Sequence, residues 1–517
     1  MAAQKLNNNR AAGLDQISAE LIKYGPNELH VHICNILKNS LQKHQPLDLG
    51  SSILVPLQKP GKLRGPVKNL NPMILLRIIR KILSNIVLNR IRPQYEEYLS
   101  PSQSAYREWR STADLVWAHR FIIAKAQARE LTVYITGLDL SAAFDTIRRD
   151  ELMTILGTIV KDDEVRMVRL LLSNTSLEVK MNGVVPERFE SNVGSPQGDA
   201  ISGVLFNIYL EDALRRVRAI VNRADTNIEH AYQEGSALPP ELCYADDSDY
   251  PTLTVARKEE ILTATYEVLP KRNLKINQDK TEHTVVKRGG EEEWRKVKKL
   301  GSLLGVSEDI ARRKQLSIVG MNKLQSVWIR KDHIRLSKRL ALYRQLVKPL
   351  LVYNCGCWAM RKQDTESINA FHRQQLRRIL GVRWPDRIGN KRLYEITEEE
   401  PISLFILKQR WQLLGHILRS HIQSPANQSM EFYFQPTSAK EFRGRPQVTL
   451  PTTIHNDLQH ITNVQRQNAT QIFELRNFVC RRDLSIARSI AQERGVWKEF
   501  INLILESAQA DITIQSP

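Results

Sequence analysis

The chain has 517 residues, of which 42% are hydrophobic and 25% charged, so it is too long for one compact core and too apolar for a largely disordered protein. Lys and Arg number 75 against 56 Asp and Glu, and the resulting net charge of +19 favours polyanionic partners such as nucleic acid. The sequence shows no signal peptide and no run of about 18 apolar residues, so neither secretion nor a membrane span is expected.

Five cysteines are scattered along the chain without framework spacing, which disfavours disulfides and favours a reducing compartment. Cys355 and Cys357 form a C-x-C pair, but no second Cys/His pair follows at the spacing of a zinc site. Because the apolar run 350–353 leads into this pair, buried thiols without a metal are the preferred interpretation.

Apolar residues at helical spacing predict two helices over 14–45, broken at Gly25-Pro26, and a third over 72–99. Between them, residues 53–57 predict a short strand before a basic turn. The first part of the chain is therefore expected to be mixed helix and strand.

The centre of the chain is expected to form an α+β sheet with helices on one face. Residues 131–140 are β-branched and apolar and predict a buried strand that carries Asp139 at its end. After it the pattern predicts a helix at 148–174, a hairpin with Asn182-Gly183 at its tip, a helix at 200–222, two short strands that meet at 245–247, and a helix at 256–272.

From about residue 312 the chain is predicted to be mainly helical and basic. A loop rich in Pro, Ser and Gly, at 421–452, is expected to separate a helical tail. The four helices predicted before that loop are 312–330, 336–352, 364–380 and 401–420.

Three carboxylates are candidates for a divalent metal site. Asp139 ends one apolar strand, and Asp246 and Asp247 lie at the turn between two others, so pairing of the strands would bring them together. Nucleotide polymerisation needs two divalent cations held by oxygen ligands about 3.5–4 Å apart. Taken singly, an Asp at a strand end is more often a cap, and an Asp-Asp pair more often a solvated loop.

The order of the motifs resembles that of non-LTR (LINE-type) retrotransposon reverse transcriptases. Tyr244-Ala245-Asp246-Asp247 is similar to their Y-x-D-D box, and DLSAAFD at 139–145 is similar to their motif A. The remaining similar blocks are QKPG at 58–61 with Asn69 and Pro72, QSAYR at 103–107 with Arg110, SPQGDAISGVLFN at 195–207 (motif B), LKIN at 274–277 with Lys280 (motif D), and LGSLLG at 300–305 (motif E).

The resemblance implies site residues and a cofactor. It implies that Asp139, Asp246 and Asp247 hold two Mg²⁺ ions, or Mn²⁺, and that Lys280 protonates pyrophosphate, although Lys280 could be an ordinary surface lysine. The resemblance further implies a substrate-binding set in which Phe144 excludes a ribose 2′-hydroxyl and Gln197-Gly198 form the nucleotide floor. The other implied members of that set are Lys59, Arg107 and Arg110.

The fold implied is an α+β right-hand polymerase with a mainly helical C-terminal region. Its expected divisions are fingers at 1–130, palm at 131–310, a helical thumb at 311–420 and a tail of uncertain role at 421–517. The implied partners are an RNA template, a DNA primer and dNTPs, with no membrane. A nuclear location is favoured over a cytoplasmic one by resemblance only. No endonuclease, zinc knuckle or RNase H motif is recognisable.

Several positions depart from the family pattern. Asn71 stands where an Arg would grip the triphosphate, with Lys62 and Arg64 nearby as substitutes. Ala105 replaces a Gly, Glu108-Trp109 replaces Pro-Gly, and Gly203 stands where Pro is usual. A decayed, non-catalytic nucleic-acid-binding relic is therefore the alternative function, and a group II intron-type maturase is a third. The basic C-terminal helices could likewise be solvated faces instead of a thumb.

Overall fold

The computed structural model describes residues 2–43, 48–59, 61, 63–180, 188–224, 238–289, 291–329, 332–461, 463–470 and 473–514. The predicted hairpin tip at Asn182-Gly183 and the side chain of Lys62 lie outside these residues. The strands are β1 (Ser51–Gln58), β2 (Leu70–Leu75), β3 (Val133–Leu138), β4 (Leu140–Ser141), β5 (Ser176–Val179), β6 (Phe189–Glu190), β7 (Leu242–Tyr244), β8 (Asp247–Thr252), β9 (Lys275–Ile276), β10 (Glu282–Val286), β11 (Lys298–Lys299) and β12 (Ser302–Leu303).

The α-helices follow the same chain order. They are α1 (Ala19–Lys23), α2 (Asn27–Lys43), α3 (Ile78–Tyr98), α4 (Thr112–Ala128), α5 (Arg149–Gly157), α6 (Asp162–Leu172), α7 (Ser202–Ala224), α8 (Val255–Lys271), α9 (Val306–Lys323), α10 (Gln325–Ile329), α11 (Leu336–Leu342), α12 (Lys348–Leu351), α13 (Lys362–Leu380), α14 (Asn390–Thr397), α15 (Ile402–Arg419), α16 (Pro425–Phe434), α17 (Leu450–Gln459), α18 (Asn463–Gln467), α19 (Arg481–Gln492) and α20 (Arg494–Ile514).

An antiparallel sheet of four strands, in the order β10-β3-β8-β7, lies at the centre of the molecule. Val133 and Ile135 share one face of β3 and belong to the same core cluster as residues of α4. Tyr250 faces the other way and packs with residues of α8. Helices therefore cover both faces of this sheet. The prediction of helices on one face was wrong, because it placed no helix at the residues of α4.

A second sheet, in the order β2-β1-β5-β6, lies beside the loop that precedes α7. Strand β1 pairs antiparallel with β2 and parallel with β5. The backbone N–H of Ile74 donates to the carbonyl of Gln197 at 3.2 Å, which links β2 to that loop. The predicted helix over 72–99 is thus wrong at its start, since residues 70–75 form a strand.

The predicted helix over 148–174 is two helices, α5 and α6. Helix α5 ends at Gly157, and α6 starts at Asp162 with acidic residues in its first turn. Acidic side chains stabilise the positive N-terminal end of a helix, so the local sequence favours a new start there.

The C-terminal region is mainly helical, as predicted, and helices α9 to α15 pack around two apolar clusters. The predicted loop over 421–452 is wrong in part, because α16 lies within it. Met430 of α16 is fully buried in one core cluster with Trp117 and Phe121 of α4. Tertiary packing thus selects a helix where Pro and Ser predicted a loop.

In the part of the chain that the structure describes, no helix is long and apolar enough to cross a bilayer. Cys355 and Cys357 are buried free thiols, in agreement with the interpretation of this pair as core residues.

Candidate active site

One end of the central sheet brings the three predicted carboxylates together. In the antiparallel register of β3 and β8, Leu138 pairs with Ser248, so the next step along the ladder places Asp139 opposite Asp247. Strands β7 and β8 are joined by a tight turn in which Tyr244 pairs with Asp247, and Asp246 lies in that turn. Strand pairing alone therefore accounts for the convergence.

The turn is held in place by Gln103, a residue to which the sequence pattern gave no role. Ala245 has a φ of 56°, in the left-handed region that costs a non-glycine residue energy. The buried side chain of Gln103 accepts from the Ala245 N–H at 2.9 Å and donates to the Ala245 carbonyl at 3.3 Å. The Gln103 amide thus hydrogen-bonds both backbone groups of Ala245, as a neighbouring strand would, and fixes the turn that carries Asp246. Its place in the QSAYR block was the signal available in the sequence.

Like charges and burial affect the carboxylates at the turn. Burial, followed by the charges of Asp246, Asp249 and Asp139, raises the pKa of Asp247 to about 6. Burial, with the charge of Asp139, also raises the pKa of Asp246. Lys280 partly offsets this charge, since its Nζ lies 2.9 Å from Oδ2 of Asp139. The site is therefore short of positive charge.

The donor chemistry of the site fits a divalent cation. Asp139, Asp247 and Lys280 line a cleft of about 390 Å³, and the carboxylate oxygens are the hard ligands that Mg²⁺ and Mn²⁺ prefer. Burial and then mutual repulsion raise the pKa values of Asp246 and Asp247, and a bound cation would favour their charged forms. Within the described residues, however, no three His, Cys, Asp or Glu side chains are already gathered as a metal cage. The oxygen donors of these residues therefore suit a divalent cation, but their positions do not define its coordination geometry.

Beside Asp247 in the same cleft, β8 also carries Asp249, the centre of a charged cluster to which the sequence pattern gave no role. Asp249 has Lys299 Nζ at 2.7 Å and His119 Nε2 at 3.1 Å, and Lys299 also reaches Glu282 at 2.9 Å. Although burial opposes it, the nearby His119 ring and the charge of Lys299 lower the pKa of Asp249. Since Asp247 and Asp249 share a strand face, this cluster lies beside the candidate metal-binding end of β8.

Phe144 lies in a short 3₁₀-helix, Ala143–Asp145, just after Asp139. Its half-buried ring stacks on Phe206 at a centroid distance of 4.7 Å and meets Tyr106 edge-on at 6.3 Å. The ring is therefore held from two sides, which is what a steric selector requires. Tyr106 also lies close enough to Asp246 for that charge, after burial, to raise the pKa of its hydroxyl.

Gln197 and Gly198 lie between this aromatic group and β2. The side-chain nitrogen of Gln197 is 3.4 Å from the nearer carboxylate oxygen of Asp145. Gly198 has a φ of 110°, and a Cβ there would lie 2.9 Å from the carbonyl oxygen of Ile74. The close approach of β2 to the loop thus requires glycine.

The structure does not direct Arg107 towards the carboxylates. Its Nε donates to Glu96 at 2.7 Å, and the same guanidinium donates to the carbonyls of Ser100 and Gln103. Burial lowers the pKa of Arg110, which forms no ion pair within the described residues. The contacts of Arg107 and Arg110 with substrate remain predictions.

Lys59 follows directly after β1, where its backbone N–H donates to the carbonyl of Asn69 at 2.9 Å. This contact closes the β1–β2 connection. The contact of the Lys59 side chain with substrate stays a prediction.

Two curated proteins of Drosophila melanogaster are similar in sequence. The RNA-directed DNA polymerase from mobile element jockey is 21% identical over 412 residues, covering 74% of this chain and 43% of that protein. The Pol polyprotein from type-2 retrotransposable element R2DM is 21% identical over 282 residues, covering 54% and 25%. The chain thus spans less than half the length of these relatives.

Solved structures with a detectable likeness include telomerases of Candida species. Apo telomerase from Candida tropicalis aligns with a TM-score of 0.41 at 11% identity, covering 77% of this chain and 68% of that one. Telomerase from Candida albicans, in complex with a TWJ fragment of telomeric RNA, aligns with a TM-score of 0.37 at 10% identity, covering 77% and 69%.

A family model described as "Reverse transcriptase (RNA-dependent DNA polymerase)" matches residues 57–322, which include the carboxylates, Phe144, Gln197 and Lys280. The match spans more than half of the chain and confirms the predicted right-hand polymerase class. The extents of fingers, palm and thumb remain predictions. The chain belongs to the reverse transcriptase family.

Proposed function

We propose that the chain is an RNA-directed DNA polymerase of a non-LTR retrotransposon, which transfers a nucleotide from dNTP to a primer 3′-hydroxyl. The observation that carries this proposal is the pairing of β3 with β8, which sets Asp139 opposite Asp247 beside the turn that holds Asp246. Family membership and the likeness to the jockey polymerase support the reaction type.

Asp139, Asp246 and Asp247 are the residues that would hold two Mg²⁺ ions. When bound, such ions lower the pKa of the primer hydroxyl and neutralise the triphosphate. The chain contributes the carboxylates at the end of a rigid sheet, with Gln103 and the Asp249 cluster holding the strand ends in place. Such support from behind keeps ligand side chains in position.

The neighbouring residues would position and select the nucleotide. Phe144, held between Phe206 and Tyr106, would occupy the space of a ribose 2′-hydroxyl. Gln197 and Gly198 would form the floor under the base and sugar. The partners of this reaction are an RNA template, a DNA primer and dNTPs, and a nuclear location accords with such partners.

Lys280 is the proposed proton donor to the pyrophosphate leaving group. Its side chain is 65% exposed at the rim of the cleft and lies against Asp139. An exposed ammonium can reach the leaving group, whereas a buried one could not. Replacement by Met keeps the length of the side chain and removes the proton, so Lys280→Met is expected to lower kcat more than it raises KM for dNTP.

The test is primer extension on poly(rA) with an oligo(dT) primer and Mg²⁺. Asp139→Asn and Asp246→Asn are each expected to abolish extension, because they remove ligand charge with almost no change in volume. Asp150→Asn is the matched control, since this carboxylate on α5 is 72% exposed and should leave extension unchanged. Near-wild-type extension by either site variant would refute the assignment.

A non-catalytic, nucleic-acid-binding relic is the second candidate, favoured by Asn71 at the position of a triphosphate-gripping Arg. Asn71 is exposed on β2, and its amide carries no charge with which to hold a phosphate. Binding of the primer–template without any dNTP incorporation by the wild-type chain would select this candidate.

A further inference from the structure

The segment 373–392, which spans the end of α13 and the start of α14, carries an unusual concentration of positive charge. It contains one acidic residue, Asp386. Its basic residues are Arg373, Arg377, Arg378, Arg383, Arg387, Lys391 and Arg392. Such a run attracts a polyanion, although charge alone does not identify which one.

Part of this segment lines a cleft of about 650 Å³ between α10 and α13. The residues that line it include no carboxylate. They are mainly basic, amide and aromatic side chains, among them Gln325, Trp328, Gln374, Arg377, Arg378 and Arg383. A chemistry of cations, amides and one indole suits phosphates and bases better than it suits an acidic peptide.

Two arginines of the cleft are held by neutral oxygens. Arg377 Nη2 donates to the carbonyl of Ile388 at 3.2 Å and to Oδ1 of Asn390 at 2.8 Å. Arg378 Nη2 donates to Oδ1 of Asn322 at 3.1 Å. Neither forms an ion pair with a carboxylate among the residues that the structure describes. Their guanidinium groups are thus oriented while their charge remains available to an anion.

Trp384 lies next to Arg383 in the basic segment. Its side chain is 86% exposed, between Arg383 and Pro385, and Arg383 and Arg387 are exposed with it. An exposed indole beside arginines forms a platform on which an unpaired base can stack, as in proteins that bind single strands. A duplex offers its phosphates but keeps its bases stacked inside, so it would not use this ring.

We propose that this cleft and Trp384 form a binding site for single-stranded nucleic acid, with the phosphodiester backbone along the arginines and a base on the indole. The site goes beyond the proposed polymerase function, because none of its residues belongs to the carboxylate site. RNA and single-stranded DNA share the recognised chemistry, and the experiment separates them.

The experiment measures fluorescence anisotropy of labelled oligouridine and oligothymidine of about 20 nucleotides, the full chain being kept in EDTA. Trp384→Ala is expected to raise Kd for a single strand about five- to a hundredfold. Weakening with either strand supports the proposal, and the larger effect identifies the strand. Because the indole is exposed, its loss should leave the fold intact.

The charge contribution has its own variant and control. Arg383→Gln with Arg387→Gln should lower the slope of log K against log salt by about 1.4, because each lost phosphate contact on a single strand removes about 0.7. The control is Arg216→Gln with Arg481→Gln, two arginines that are 59% and 56% exposed but paired with carboxylates. The control should change the slope by less than half as much.

Three results would overturn the proposal. The first is an unchanged Kd and slope for both sets of cleft variants. The second is a loss of affinity for a blunt duplex that is as large as the loss for a single strand, which would make the surface a duplex contact. The third is a loss of extension by Trp384→Ala on a short hairpin primer–template that is as large as its loss of single-strand affinity. This result would place the indole in the polymerase cleft. Absence of extension in the wild-type chain would refute the polymerase proposal alone, since binding is measured without metal.

Discussion

The packing of Tyr106 against Gly203 gives a sharp test of the structure near the candidate site. Gly203 is in the first turn of α7, and a Cβ built on it would lie 2.4, 2.5 and 2.6 Å from Cδ1, Cε1 and Cγ of the Tyr106 ring. Those atoms belong to a rigid, half-exposed ring that meets Phe144 edge-on, so the ring would have to turn away to make room. Gly203→Ala should therefore displace Tyr106 from Phe144.

The expected size follows from two opposing effects. Overpacking a core position costs about 1–3 kcal/mol, whereas Ala in place of Gly in a helix gains up to about 1 kcal/mol. With the full helix gain, Gly203→Ala should thus destabilise the wild-type chain by up to about 2 kcal/mol. In a Tyr106→Ala background the clash is absent, and the same change should be neutral or stabilising.

Guanidinium unfolding of the wild type, the two single variants and the double variant measures this coupling, which should be about 1–3 kcal/mol. Comparing midpoints within one series keeps the comparison valid even where several packed units unfold together. An equal cost of Gly203→Ala in both backgrounds would refute the close contact between Gly203 and the Tyr106 ring.

Three further outcomes are expected. Phe144→Ala should raise the ratio of kcat/KM for rNTP over dNTP at least about tenfold, and an unchanged ratio in an active variant would exclude the selector role. Asn71→Arg should lower KM for dNTP about ten- to a hundredfold, because a guanidinium can grip a phosphate in bidentate fashion. Asn71 shares a strand face with Met73, whose Sδ lies 3.8 Å from a Cβ built at Gly198, so the new side chain would be near the proposed nucleotide floor. An unchanged KM in an active variant would mean that this strand face does not contact the nucleotide. Burial lowers the pKa of His372 to about 4 from 6.5, so its neutral ring contributes stability above pH 6.5 that is lost as pH falls towards 4, by about 3 kcal/mol at most. His372→Phe should flatten this acid-side loss of unfolding free energy, and an equal pH slope in both proteins would contradict the assignment.

Much of the candidate site at the end of the sheet could be predicted from the sequence, because ordered motifs there combine local patterns with a family resemblance. The strand that ends at Asp139 and the hairpin that carries Asp246 are both predicted by local patterns, and their pairing follows from β geometry. The buried cluster around Asp249 is not, because His119 and Lys299 are far from it in sequence. Such contacts depend on tertiary packing, which periodicity does not encode.

The errors of prediction have similar causes. Residues 70–75 form a strand because β1 supplies a partner, although their apolar run is also compatible with a helix. Helix α16 forms inside a Pro- and Ser-rich segment because Met430 and Phe432 find a buried surface on their neighbours. Arg107 forms an ion pair with Glu96 that only the fold reveals, and its expected contact with substrate stays a prediction.

Helix α4 is shared between the two halves of the molecule. Leu115 and Ile122 pack under the central sheet, while Trp117 and Phe121, both fully buried, pack against helices of the C-terminal region. A fragment trimmed to the family-model match at 57–322 would leave these two rings facing water, at a cost of about 3 kcal/mol or more for the pair. Helices α15, α16 and α20 thus complete the apolar packing around α4, and fragments that lack them should aggregate.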